Sequence, residues 1–124
     1  MLNHITVRVS NLAKTVDFYD QLMAALEYEP ISYEEGLAVA YGKYTSEVIF
    51  LQSNQKNAVA PNTLELAFNA YERKNVDQFF DTALSLGAPI IINPSIDNNI
   101  GPNYYHCIIK DPNGIEVEAV YLTE

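Results

Sequence analysis

Residues 104–120 read Tyr-Tyr-His-Cys-Ile-Ile-Lys-Asp-Pro-Asn-Gly-Ile-Glu-Val-Glu-Ala-Val. This stretch predicts two strands joined by a tight turn. Asp111-Pro112-Asn113-Gly114 has the chemistry of such a turn. Proline presets φ at the second position, and Asn-Gly tolerates positive φ after it. The flanking residues alternate. In the last strand Ile115, Val117, Ala119 and Tyr121 share one face, and Glu116, Glu118 and Val120 share the other. Two carboxylates on one face of an otherwise apolar strand belong either to the wet side of an antiparallel sheet or to a site.

Working outward, Pro89–Ile92 predicts a strand, and the turn-rich residues 93–103 predict a loop, with Gly101-Pro102 suited to a lid over a site. A helix over 73–86 turns Val76, Phe79, Phe80, Ala83 and Leu84 inward and ends at Gly87. The strand over 63–69 carries Leu64, Leu66 and Phe68 on one side and Glu65, Ala67 and Asn69 on the other. Residues 53–62 are polar and read as a linker. The first half has the same order. A strand over 3–9 divides Ile5, Val7 and Val9 from His4, Thr6 and Arg8. Ser10 is the expected N-cap of a helix over 12–26. Strands over 29–34, 37–42 and 47–52 follow, and the last divides Val48, Phe50 and Gln52 from Ile49 and Leu51.

The order is thus β-α-β-β-β twice, and the residues repeat with it. A shift of 61 places Ile5 on Leu66, Val7 on Phe68, Phe18 on Phe79, Tyr19 on Phe80 and His4 on Glu65. The expected fold is α+β. It is a single domain over 1–124, built of module 1–52 and module 63–124, with helices on the apolar face of each sheet.

Composition narrows the function. The chain has 124 residues and a net charge of −9, from sixteen acidic and seven basic side chains. It cannot present the basic stripe that neutralises nucleic-acid phosphates, and it is poorly suited to an anionic membrane surface. No apolar run approaches the roughly 20 residues of a membrane span. No basic segment followed by an apolar one suggests a secretory signal. The single cysteine, Cys107, excludes an internal disulfide framework, fits a reducing cytoplasm, and reads as a small buried hydrophobe.

Three pieces of the chain carry a family likeness. They are His4-Ile-Thr-Val-Arg-Val9 with Val16-Asp-Phe-Tyr19, Leu64-Glu-Leu-Ala-Phe68, and Tyr104-Tyr105 through Asp111-Pro-Asn-Gly to Val117-Glu118. Together with the repeat they resemble the vicinal oxygen chelate superfamily, which holds glyoxalase I, extradiol dioxygenases, fosfomycin resistance enzymes and bleomycin resistance proteins. The last piece is similar to the family's Asp-Pro-Asp-Gly-Asn-x-Ile-Glu signature.

The resemblance implies two curved modules whose concave faces form a cup for metal and ligand. Its ligand positions fall on His4, Phe50, Glu65 and Glu118. Phe50 cannot bind a metal, so the four-ligand glyoxalase set is incomplete. His4, Glu65 and Glu118 remain, a set suited to Ni, Zn, Fe or Mn as a divalent ion. Glu65 or Glu118 would then move a proton on a small oxygenated substrate. Arg8, Tyr104, His106 and Phe50 are the expected substrate-side residues. Arg8 could instead pair internally, and His106 could be a hydrogen-bonded strand residue. The activity implied is that of a metal-dependent lyase or isomerase. The alternatives are a metal-free ligand-binding protein of the bleomycin-resistance type and an extradiol-type dioxygenase. A homodimer is the implied assembly, with a cup closed either within one chain or across two.

Overall fold

The structure, a computed structural model, describes residues 2–56, 58 and 64–122. Most of the second half of the expected linker, and Thr63 of the expected strand 63–69, lie outside the described residues. The elements are β1 (Ile5–Val9), α1 (Leu12–Ala25), β2 (Glu29–Glu34), β3 (Ala38–Gly42) and β4 (Val48–Gln52), then β5 (Glu65–Asn69), α2 (Arg73–Ser85), β6 (Ile90–Ile96), β7 (Tyr104–Lys110) and β8 (Glu116–Leu122). They form two mixed four-stranded sheets of identical plan, β1-β4-β3-β2 and β5-β8-β7-β6. In each, the first strand of the module runs parallel to its last, and the other neighbours are antiparallel. The repeat read from the sequence is therefore also a repeat of topology.

Register decides which residues face the helices. Val7 pairs with Phe50 and Phe50 with Val39, and all three are buried. Leu66 pairs with Val117 in the second sheet, again both buried. Helix α1 lays Leu12, Val16, Tyr19, Leu22 and Met23 on this layer at helical spacing. Phe50 sits in its middle, with its ring centroid 4.5 Å from that of Tyr19. This corrects the sequence reading, which gave Phe50 to the substrate side. Side chains alternate along a strand, so a position one residue away lies on the opposite face. Thr6 pairs with Ile49 as Ala67 pairs with Glu118. The first-module counterpart of Glu118 is therefore Ile49, which also cannot ligate.

Three smaller expectations change as well. Asn11, not Ser10, caps α1, its side chain accepting from the Lys14 N–H. Ser10 instead donates to the Gln55 carbonyl. Strand β6 continues to Ile96, so the loop before β7 covers only 97–103. A proline at position 94 is compatible with this because β6 is an edge strand with an irregular register near that point. Leu84 is exposed rather than inward. Gly87 and Gly114 do take positive φ, 77° and 82°, at the helix end and in the turn.

The modules are held together by polar bonds as well as by the packing of α1 on α2. Tyr19 of α1 donates to Asp111 Oδ2 in the β7–β8 turn at 2.6 Å. Asn113 Nδ2 donates to Thr15 Oγ1. Asn75, buried in the first turn of α2, donates to the Ala25 carbonyl and to Glu27, while its own Oδ1 accepts the Glu72 N–H. One side chain thus caps α2 and grips the end of α1. Asn75→Ala leaves these groups without a partner and is expected to cost about 1–2 kcal/mol, read as a lower denaturation midpoint.

Cys107 is buried on the helix side of β7, and burial pushes its thiol up to about 12. The thiolate is the nucleophile, so the native protein is expected to show no thiol toward an aromatic disulfide reagent. One should appear on unfolding. Rapid labelling of the native chain would contradict this placement.

Candidate functional site

The faces turned away from the helices carry the polar residues. On β8, β5 and β7 alternation places Glu116 and Glu118, Glu65 and Asn69, and Tyr104 and His106 on one open face. Glu118 is central and only 4 % exposed. His106, 2 % exposed, lies on the neighbouring strand, diagonal to it in the antiparallel ladder. Such diagonal neighbours are within reach of an aromatic or long side chain. His106 Nδ1 meets Glu118 Oε2 at 2.6 Å, and the Tyr104 hydroxyl donates to the same oxygen at 2.9 Å. The two rings contact edge to face, 5.0 Å apart. A carboxylate can only accept, so Nδ1 carries the hydrogen of that bond. Nε2 has no hydrogen-bond partner among the described residues.

Glu65 completes the group. Burial raises its carboxyl above the ordinary 4.5. The nearness of the Glu118 carboxyl and the charge of Glu116 push the same way, opposed by His106. Burial and the bond to Glu118 push the Tyr104 phenol up to about 12, so it serves as a hydrogen-bond donor. The raised Glu65 carboxyl has a consequence for stability. A carboxyl whose folded value exceeds its unfolded value favours the fold while protonated. That contribution is present below the unfolded value and is lost as pH rises through the folded one. Glu65→Gln is therefore expected to flatten the pH dependence of the denaturation midpoint just above the ordinary glutamate range. An unchanged profile would contradict the coupling.

Glu65 also borders a cavity of about 240 Å³ along the unpaired edge of β5. His4, Tyr28, Glu47 and Asn69 are among its other walls. Tyr28 spans the modules there, donating to the Asn69 carbonyl at 2.8 Å. This volume lies below the roughly 300–1,000 Å³ of drug-sized ligand pockets, which favours a small ligand.

The structure thus joins Glu118, Tyr104 and His106 directly, sets Glu65 beside Glu118 on the same face, and brings His4 to the same cavity as Glu65. It leaves Arg8 exposed on the first sheet's open face, beside Thr6 and Leu51. Phe50 is in the core. Among the described residues, no group of three or more His, Cys, Asp and Glu is placed to hold a metal ion. His4 hydrogen-bonds its neighbour Asn3, and Glu118 Oε2 is already bound by two donors. The set His4, Glu65 and Glu118 therefore does not fit a metal within one chain. The sequence reading named all four residues and turned on Glu118, but it did not pair His106 with it. The signal for that pairing was the shared parity of the two residues' open-face positions on adjacent strands.

Among solved structures, a candidate glyoxalase from Bacillus halodurans is 28% identical, with a TM-score of 0.76 over 98% of this chain and 96% of the other. A glyoxalase/bleomycin resistance protein from Albidiferax ferrireducens is 21% identical, with a TM-score of 0.83 over 99% of both chains. A glyoxalase-related enzyme from Fulvimarina pelagi is 13% identical, with a TM-score of 0.76 over 98% of this chain and 88% of the other. No curated protein matches. The family model of the glyoxalase/bleomycin resistance protein/dioxygenase superfamily matches residues 1–119. With two βαβββ modules of matching topology and a polar open face, the chain belongs to that superfamily.

Proposed function

We propose that the protein binds a small oxygenated molecule at the open face of its second module and moves a proton on it, as a glyoxalase-like lyase or isomerase. The observation that carries this reading is the Glu65–Glu118 pair. Two adjacent carboxyls in unlike surroundings divide the roles of acid and base. Glu65 keeps its proton to higher pH than an ordinary glutamate and can donate it. Glu118, whose Oε2 accepts from His106 and Tyr104, is the acceptor of the pair. Such groups contribute roughly 10²–10⁴-fold to a proton-transfer step. The metal-dependent form of the reaction would need ligands from outside this chain, and no step here passes through a metal.

A second reading is sequestration of a ligand without turnover. The first module's open face favours it, because at its β4 positions Ile49 and Leu51 stand where the repeat would set further chemical groups. One experiment separates the two. The protein is mixed with hemithioacetals and small hydroxycarbonyl compounds, with binding followed by NMR and turnover by absorbance. Binding with turnover that falls in Glu65→Gln supports the enzyme, and binding without turnover supports sequestration. No binding across the panel defeats both.

A homodimer in a reducing cytoplasm suits the same reading. Strand β2 is exposed along its length, with Ile31 and Tyr33 on it, and both sheets end in open edges. Light scattering on the purified chain should give twice the 13.9 kDa monomer mass.

A further inference from the structure

We propose that His106 is the positioning residue of this site, and that with Tyr104 it occupies the side of Glu118 where the family resemblance would set a metal ion. The inference rests on the reading above only for the location of the site. Four observations support it. Both donors converge on one oxygen, Oε2, at 2.6 and 2.9 Å. Both Glu118 and His106 are nearly inaccessible, so water is a poor substitute for either donor. Position 65, one of the ligand positions of the resemblance, holds a glutamate, and the imidazole of the site comes from β7. No group of three or more His, Cys, Asp and Glu among the described residues is placed to hold a metal ion.

The chemistry follows from those contacts. Glu118 is pinned by Oε2, so Oε1 is the oxygen left for Glu65 or a ligand. A pinned carboxylate presents one lone-pair direction instead of rotating between two, which suits a group that must receive a proton at one point. A metal at Glu118 would have to displace the imidazole and the phenol hydrogens, or bind through Oε1 with Glu65 as its only near companion. One imidazole and one phenol thus orient Glu118 through hydrogen bonds to a single oxygen.

The test uses the full chain purified without chelator. Elemental analysis of the wild type, and calorimetric titration with zinc, nickel and manganese chlorides, should give less than a tenth of an equivalent of bound metal. They should show no site at micromolar concentration. The double variant Tyr104→Phe/His106→Ala removes both donors and should bind at least one of these ions tenfold or more tightly than the wild type. Because that variant could fail to fold, Tyr104→Phe/His106→Asn is made beside it. The Asn amide nitrogen reaches the place of Nδ1, so this variant should stay at the wild-type level, whereas Tyr104→Phe/His106→Gln should not. Stoichiometric metal in the wild type that is lost in Glu118→Gln overturns the proposal. So does equal behaviour of the Asn and Gln variants, which would make His106 a space-filling residue. Neither outcome depends on whether a substrate is ever turned over, so this inference and the proposed function fail separately.

Discussion

Replacing Asp111 with alanine is expected to lower the stability of the protein by about 3–5 kcal/mol, the largest loss from any single polar side chain in the structure. Asp111 is buried and accepts four hydrogen bonds. They come from the Tyr19 hydroxyl, the Asn113 and Ile115 backbone N–H groups, and the Asn113 side chain. Alanine leaves a buried phenol and buried backbone donors without an acceptor, and each such group costs about 1–3 kcal/mol. The loss spans both modules, because Tyr19 belongs to α1 and the other donors to the β7–β8 turn. Chemical denaturation should show the midpoint fall without a change in slope. Tyr19→Phe removes only the hydroxyl and should cost about 1–2 kcal/mol. A variant at Asp111 that loses less than 1 kcal/mol would contradict the keystone role.

The second large effect is on function. Glu118→Gln is expected to reduce turnover of any substrate found by about 10²-fold or more, because it removes the acceptor of the proton-transfer pair. The amide keeps the volume and one acceptor oxygen, so the fold should survive with a loss of about 1–3 kcal/mol. The two readouts separate the roles: a chain that stays folded and still turns over within threefold of the wild type would remove Glu118 from the chemistry. Glu65→Gln should instead shift the pH profile of turnover, since Glu65 is the group held protonated above the ordinary glutamate range.

Most of the fold was legible because it is written in local chemistry. Alternation along β1, β5 and β8, the helical stripe of α1 and the Asp-Pro-Asn-Gly turn each state their own structure. The repeat at a shift of 61 then supplied the topology. What was less legible depended on register and on edges. The alternation in β4 was read correctly, yet Phe50 was assigned to the ligand side by likeness. Only the pairing of Val7 with Phe50 shows that the face belongs to the core. Strand β6 was read short because Asn93-Pro94-Ser95 is turn chemistry, and an edge strand tolerates what an inner strand would not. At the site, Glu65 and Glu118 stood out as carboxylates on apolar strands. His106 was read as a hydrogen-bonded strand histidine, which it is, but its partner was not legible, because the bond joins residues twelve apart through a strand pairing. Tyr104 was named on the substrate side, but its bond to Glu118 crosses the same strand pairing and was not read.

The unlikeness of the two open faces sets how many molecules the protein can carry. Each module has the same sheet, but only the second places titratable groups at its centre. The first offers Ile49, Leu51 and Ala40 there. A duplicated architecture would suggest two equivalent sites per chain. This one centres titratable groups on one face and apolar side chains on its twin. Saturation should therefore come at one ligand per chain, and a pair of chains should bind two with no further, weaker step. On the proposed reading, one half of the doubled fold carries the chemistry and the other serves as wall and scaffold.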